Sequence, residues 1–474
     1  MTAAAWEWVA ALAAVAVAAS LPYWLPTVVV ALRVRVFALV NGDEGIAVPG
    51  ERVGVEDFKR LYADPAADGR SRGAALSDLF WYWLAPGPQV HQEHLEPGPR
   101  YDDVARTTRS TLARLRRDEW AELVTRCADR ELDRLAAAER PGRVREVRLR
   151  DAMMPLWAAV YYEVVFGEPC PDEARDLIVA NADDVASALK CTSLRHMRRR
   201  ERLTGYLRAK LASGAAPPRL PAALDAAEQV YYLQGTYFNT AVVQMSEATA
   251  HLLLALAARP DLQRRLREEP EDTGLIDRVI DETLRVYPLF GVAHRITSAD
   301  IALGEAAIPA GSVLLFNYPA FQHSGAPDAD AFDPDRWLRD HPGHLNHIPF
   351  GIGANRPCPA RAVAPLTMRV AARRVLRRYA LASAAGHTRS LPNRGPCLLL
   401  PLGAGPDASP NTGLDTPRPP ALRLARQRLR DRWEDVWRSL VQLVLGTYMV
   451  WHARRLRLCT THFATHLATE EGSR

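Results

Sequence analysis

The stretch FGIGANRPCPA, residues 350–360, places Cys358 among two glycines, an arginine and two prolines. Gly351 and Gly353 permit tight turns and close approach of the backbone to a flat ligand. The run that follows, PARAVAPLTMRVAARRVLRRY (359–379), has helical periodicity, and Pro359 suits a first helical turn. Cys358 is therefore expected at a helix N-terminus, where free N–H groups and the helix dipole stabilise a thiolate. Arg356, two residues earlier, adds positive charge. Taken alone, the stretch fits a structural loop around a buried cysteine equally well.

Its context narrows the choice. Upstream stands DETLRVYP (281–288), with Glu282 and Arg285 three apart on one helical face. Then comes Arg295 ahead of a strand-like run, then FDPDRW (332–337) with Arg336. A Glu–Arg pair on one helix joined by a second arginine from a loop makes a buried charged network. Such a network costs desolvation energy and is expected where geometry must be fixed. Each piece alone is common; the four in this order and at these separations are specific.

The pattern resembles the cytochrome P450 family of haem-thiolate monooxygenases, over roughly residues 45 to 403. The resemblance implies a mostly helical fold with a small β portion, a triangular prism holding haem b (iron protoporphyrin IX) between the long central helix and the cysteine-loop helix. It makes Cys358 the axial ligand to iron, with Phe350 packing beside it. Glu282, Arg285 and Arg336 match a structural triad behind the cysteine loop. Arg356 and Arg295 match positions that bind the haem propionates. Arg106, with Arg109 near it, matches an arginine of an early helix at the haem edge, although Asp102 stands where a histidine is usual. A thiolate ligand pushes electron density onto iron and favours O–O cleavage.

Two departures stand out. The cysteine loop is one residue longer than the family's, with Asn355 as the extra residue, and Ala360 replaces a glycine after the cysteine. The second lies in AALDAAEQVYYLQGTYFNTAVVQMSEATAHLLLALAARP (222–260), which reads as one long helix through the core, ending at Pro260. The family's acid–alcohol pair on that helix falls on Val243 and Gln244. Valine carries no proton and a neutral amide is a poor relay. Thr240, Asn239 and Glu247 are the nearby substitutes, with Thr240 one turn before Gln244; ordinary core-facing roles fit them as well.

The rest of the chain sets the organisation. With 474 residues and 48% hydrophobic content it can bury a large core. A formal net charge of +5 is too mild for a nucleic-acid binder. Six scattered cysteines with no CxxC pair exclude a disulfide scaffold or structural zinc and favour a reducing compartment. Four segments are expected. Residues 1–44 are apolar, with no charged side chain in the 25 residues from Trp8 to Leu32, long enough to span a bilayer. Arg33 and Arg35 follow and favour a cytoplasmic location for the remainder; a signal peptide or a helix packed on the main domain are the rivals. Residues 45–405 form the catalytic unit: helices from about Glu51 to Ala212, the loop GAAPPRLP (214–221), the central helix, two shorter helices, and a strand-and-turn section at 293–319. Residues 406–420 read as a linker. Residues 421–474 are basic, and Trp433, Trp437, Leu440, Val444, Tyr448 and Trp451 recur three or four apart. The uncharged stretch Ser439 to Trp451 is too short to span a membrane; an interfacial helix and a docked helix are equal readings.

Functionally, the resemblance implies a monooxygenase acting on a hydrophobic small molecule, with electrons from a separate ferredoxin and its reductase. No nucleotide-binding glycine motif indicates a fused flavin domain. Arg361, Arg369, Arg373, Arg374 and Arg377 offer a basic face to an acidic donor. Expected pocket residues lie in 238–244 and 290–293, an apolar lining with a few polar handles. Two other readings stand beside it. Val243 and Gln244 motivate a haem-thiolate enzyme using peroxide, or one that dehydrates or rearranges its substrate. A haem-free scaffold of the same fold is the third, and the retained cysteine and triad argue against it.

Overall fold

The computed structural model describes residues 3–41, 45–137, 143–214, 219–269, 272–304, 306–326, 328–339, 343–388, 390–402 and 419–472. The chain begins with helix α1, Ala3–Asn41. Its run from Trp6 to Val36 is apolar enough to cross a membrane and is almost wholly exposed. A short strand, β1 (Ile46–Val48), follows. Helices α2 (Ala75–Leu84), α3 (Pro99–Leu112) and α4 (Arg117–Ala137) confirm the helical expectation for this region. Strand β2 (Arg145–Arg148) interrupts it, in a segment too charged to show strand alternation. Helices α5 (Leu149–Phe166) and α6 (Asp172–Leu189) follow.

The central helix α7 spans Ala226–Ala257, a little shorter than its sequence pattern. Asp225 caps it in a reciprocal capping box with Glu228, so residues 222–224 stay outside. Pro260 opens the next helix rather than closing this one. Within α7, Thr236–Ala241 forms a π-helical turn. Such turns insert into α-helices mostly at functional sites. The apolar half beyond it is buried, with Leu252, Leu253 and Leu254 inaccessible to solvent. Truncating any one of them to alanine would cost about 2–5 kcal/mol. α5 lies along α7, and the Trp157 indole donates to Thr249 Oγ1 at 3.2 Å.

Helix α8 (Thr273–Val286) carries the Glu-x-x-Arg pair. Strands β3 (Val292–Ile296), β4 (Ile301–Leu303), β5 (Ala306–Ile308) and β6 (Val313–Asn317) form where alternation was read. β6 is central to a three-stranded sheet, parallel to β1 and antiparallel to β3, with Arg295 opposite Leu314. Helix α9 spans Ala364–Arg378. It starts six residues after Cys358, so the expected helix N-terminus at the cysteine is not there; residues 359–363 make turns first. Strands β7 (Tyr379–Ala382) and β8 (Pro396–Pro401) complete an antiparallel sheet with β2. These strands went unread because their all-apolar runs have no period-2 signal.

The linker at 406–420 falls almost wholly outside the described residues. Beyond it, α10 (Ala421–Leu456) is one 36-residue helix, and α11 (Leu458–Gly472) turns back from its end. One side of α10 is docked on the rest of the chain. Asn393 Nδ2 donates to Asp431 Oδ1 at 2.6 Å, Arg148 to Glu434 at 2.7 Å, and Gln442 to the Lys190 carbonyl at 2.8 Å. Met449, Val450 and Ala453 pack on Leu79 and Tyr82 of α2. The Asp78 carboxylate accepts from the Cys459 and Thr460 amides, holding the first turn of α11. The other side of α10 stays open, with Trp433, Trp437, Val444 and Trp451 exposed. α1 lies along α10: Arg33 donates to Gln442 at 3.0 Å and Arg432 to the Tyr23 hydroxyl at 2.7 Å.

Candidate functional site

The cysteine loop closes on itself. The Cys358 amide donates to the Phe350 carbonyl at 2.9 Å, and the Arg361 amide to the Cys358 carbonyl at 3.3 Å. Gly351 has φ +74°, and a Cβ there would lie 3.0 Å from the Tyr62 hydroxyl. Both demands leave glycine as the fitting residue. Cys358 and Phe350 line one cleft together with Gly351, Pro359 and Ala360. The extra residue therefore leaves both of them on the cleft wall. It is absorbed at Asn355, which turns away and is buried.

Asn355 accepts from Arg295 Nη1 at 2.7 Å and donates to the Ala67 carbonyl at 3.1 Å. Arg295, expected at the propionates, does not line the cleft, and its Nε is buried without a partner. Its guanidinium is fully buried against Tyr62 and is held by the inserted asparagine, off the cleft wall. Arg356 does reach the cleft. It adopts φ +50°, donates to the Leu95 carbonyl at 2.6 Å, and stacks over Tyr101 at 3.9 Å. Its Nη2 is buried without a partner, and so is Nε of Arg70, a second cleft residue. Burial and the neighbouring Arg295 lower the Arg70 pKa to about 10. Nothing in the sequence around Arg70 marks it.

The triad assembles between α8 and the FDPDRW segment. Arg285 grips Glu282 through two bonds of 2.8 Å, and Arg336 Nε approaches the same carboxylate at 3.4 Å. The Asp333 amide and the Trp337 indole complete its shell at 2.9 and 3.1 Å. Glu282 is 0% exposed and both arginines 1%. Arg285 also donates to the Ala329 and Ala331 carbonyls, which ties α8 to the segment before FDPDRW.

Helix α7 forms the opposite wall. Thr236, Tyr237, Thr240, Ala241, Gln244, Met245 and Ala248 line the cleft. Phe238 does not; it stacks on Phe166 in the core. Phe290 and Ala293 line it as expected, Gly291 and Val292 do not. Glu247 is removed from contention as a proton donor, because Lys190 at 2.6 Å and Arg150 at 3.5 Å hold it on the far side. Asn239 is buried and also off the lining. Thr240 meets a residue the sequence reading missed: its Oγ1 lies 2.7 Å from His91 Nε2.

Arg106 is not at the cleft. It is 68% exposed, with Asp103 3.4 Å away, and Arg109 is exposed beside it. α3 buries Val104, Ala105, Thr108 and Leu112 instead, which turns 106 and 109 to solvent. The basic face on α9 is also largely paired. Arg369 binds Asp277 at 2.6 Å, Arg374 binds Asp129 at 2.6 Å, and Arg373 donates to the Asp272 carbonyl. Arg361 and Arg377 remain exposed.

Residues 227–404 match the family model described as Cytochrome P450. That match covers less than half of the chain, and over it the chain is similar to the cytochrome P450 family. Among curated P450 relatives it is 28% identical over 173 residues to Cytochrome P450 3A41 of Mus musculus, 32% of this chain and 33% of that protein. It is 33% identical over 140 residues to cyclooctat-9-en-7-ol 5-monooxygenase of Streptomyces melanosporofaciens, 25% of this chain and 30% of that protein. The matches thus span about a third of these relatives. Solved P450 structures share the fold: a six-coordinated cytochrome P450 from Thermus thermophilus (TM-score 0.54, 20% identity, 71% of this chain and 91% of that chain) and a zebra fish cytochrome P450 with abiraterone (TM-score 0.60, 17% identity, 74% and 92%).

The P450 family implies a haem, and the residues present fit one. The cleft lies between α7 and the cysteine loop, and its lining is mainly apolar, with Leu112, Leu284, Leu289, Phe290 and Met368 among it. Its floor carries a thiol whose pKa burial pushes up to about 11, against the opposing pull of the Ala360 and Arg361 amides. That thiol ionises only if a cation faces it. At the rim, Arg70 and Arg356 present donors without acceptors, as a pair of carboxylates requires.

Proposed function

We propose that this chain is a haem-thiolate monooxygenase that inserts one atom of dioxygen into a hydrophobic small molecule, with electrons from a separate ferredoxin-type donor. The observation that carries the reading is the meeting of Cys358, the unpartnered donors of Arg70 and Arg356, and an apolar cleft under α7. Bound iron protoporphyrin IX would supply oxygen activation. The chain's own residues do the rest. Cys358 Sγ would be the protein's ligand to its iron. Arg356 and Arg70 take the propionate carboxylates. Glu282, Arg285 and Arg336 fix the loop so that Sγ stays aimed at the cleft. Leu112, Leu284, Leu289, Phe290 and Met368 keep water from a substrate.

The reduced protein treated with carbon monoxide gives the test. A Soret band strongly red-shifted from histidine-ligated haem, lost in Cys358→Ala, is the expected result. Well-folded protein that takes up no haem overturns the enzyme reading and leaves the scaffold. Gln244 on the cleft wall favours a second reading, in which peroxide, dehydration or rearrangement replaces the reductive cycle. Product formed with reduced ferredoxin and dioxygen but not with peroxide counts against it.

We further propose that α1 anchors the chain, with the catalytic unit on the cytoplasmic side. Its exposed apolar surface and the adjoining exposed tryptophans of α10 support this. Flotation with anionic vesicles checks it: the full chain is expected to float, and a chain lacking 1–44 to bind less.

A further inference from the structure

The α7 wall lacks an acid, yet it does not lack a path for protons. Thr240 occupies the π-helical turn and its hydroxyl faces the cleft. The π geometry displaces the backbone there, and His91, from the loop between α2 and α3, fits against it. The imidazole packs on Gly235: a Cβ at that position would lie 3.1 Å from His91 Cδ2. Gly235 is helical, so the absent side chain serves clearance and not backbone freedom. His91 is buried, and its Nδ1 has no partner while Nε2 meets Thr240 Oγ1 at 2.7 Å. An imidazole with one nitrogen bonded and the other open can pass a proton through its ring.

We propose that His91 and Thr240 form a proton relay into the cleft, replacing the acid–alcohol pair that Val243 and Gln244 cannot supply. This inference rests on the oxygenase reading above. In each passage Thr240 Oγ1 gives its proton to the cleft and receives one from His91 Nε2. The ring takes a proton at Nδ1 from hydronium and returns to its Nε2–H tautomer before the next passage, so one proton crosses and no electron moves. Electrons come from the reduced ferredoxin-type donor, and dioxygen is the oxidant. His91 acts through Thr240 and is a positioning and relay residue. Burial lowers its pKa, while Glu93 and the Gly235 backbone oppose the shift. The ring therefore rests neutral near pH 7, with His94 at 5.7 Å also held neutral by burial. From α7, Gly235 and Thr240 touch it.

Two variants separate a relay from a prop. His91→Gln keeps a side chain able to hydrogen-bond Thr240 but cannot shuttle a proton. His91→Phe removes both. The haem-loaded protein is fed reduced ferredoxin and dioxygen, and electrons reaching product are compared with those lost as hydrogen peroxide. Both variants are expected to lower the product share by about tenfold or more, short of the roughly 10²–10⁴-fold that a wholly lost proton transfer costs, and to change its pH profile. Independently of turnover, the His91 ring resonance in the reduced carbon monoxide form is expected to titrate below the ordinary range and to move in Thr240→Val. Wild-type coupling in His91→Gln overturns the relay, and so does a His91 resonance indifferent to Thr240→Val. If wild-type protein itself makes no product while the resonance behaves as expected, the oxygenase reading fails and the contact stands.

Discussion

Asn355 shows how a single inserted residue can be absorbed without loss of the loop. Its amide takes the charge-assisted bond of a fully buried arginine, and such bonds carry about 1.5–3 kcal/mol. Asn355→Ala is therefore expected to destabilise the protein by about 2 kcal/mol, read as a lowered urea midpoint, while the Cys358 spectrum is retained. Arg285→Ala should do more. It strands Glu282 without its strongest partner, and removing one member of a buried pair costs about 3–5 kcal/mol. Little haem-loaded protein is expected, and a normally loaded, fully stable variant would refute the triad assignment. Cysteine, glutamate and both triad arginines were legible because each sits in a fixed short motif. Arg70 and His91 were not, since a lone basic residue in a loop carries no periodicity or spacing. Arg106 is the opposite case: the buried positions of α3 already turned it outward, and the family resemblance overrode that signal.

At the scale of elements, α7 was read as one helix, and its ends and burial are close to that reading. The π turn was invisible because it changes hydrogen-bond register without changing composition. Gly235 offers a test of what the turn does. Gly235→Ala gains about 1 kcal/mol of helix propensity but presses on His91. Stability is expected to hold or rise slightly, while the His91 titration moves back toward the ordinary range. Thermal unfolding and ring resonances on one sample read both. The helix start at Cys358 was misplaced because Pro359 is as suited to turns as to a first helical turn.

For the molecule as a whole, three histidines set the acid limit. Burial depresses His294 to about 4, His347 to about 3 and His387 to about 2. An unfolded histidine takes up its proton near pH 6.5, before any of these does in the fold. Their contribution is complete above about pH 6.5 and is lost as pH falls toward 4. Asp281 works the other way: burial raises it to about 6, so it favours the fold as pH drops. The sum is expected to be a steeper acid loss in the wild type than in His294→Phe, measured as urea midpoints from pH 7 to 4. Removing 419–474 should uncover Leu79, Tyr82 and the Asp78 carboxylate and lower the melting temperature. The composition of 421–474 signalled a helix, and its docking site lay beyond reach, since its partners are dispersed along the chain, from Asn393 back to Leu79.

The contact between α1 and α10 joins residues 409 apart in sequence. α1 thus leaves the ribosome long before the neighbour it packs against. Pairings so distant form late, and until then α1 presents its apolar length alone. A chain built this way has time to meet a bilayer before it meets itself, which is the order of events that the proposed anchoring by α1 needs.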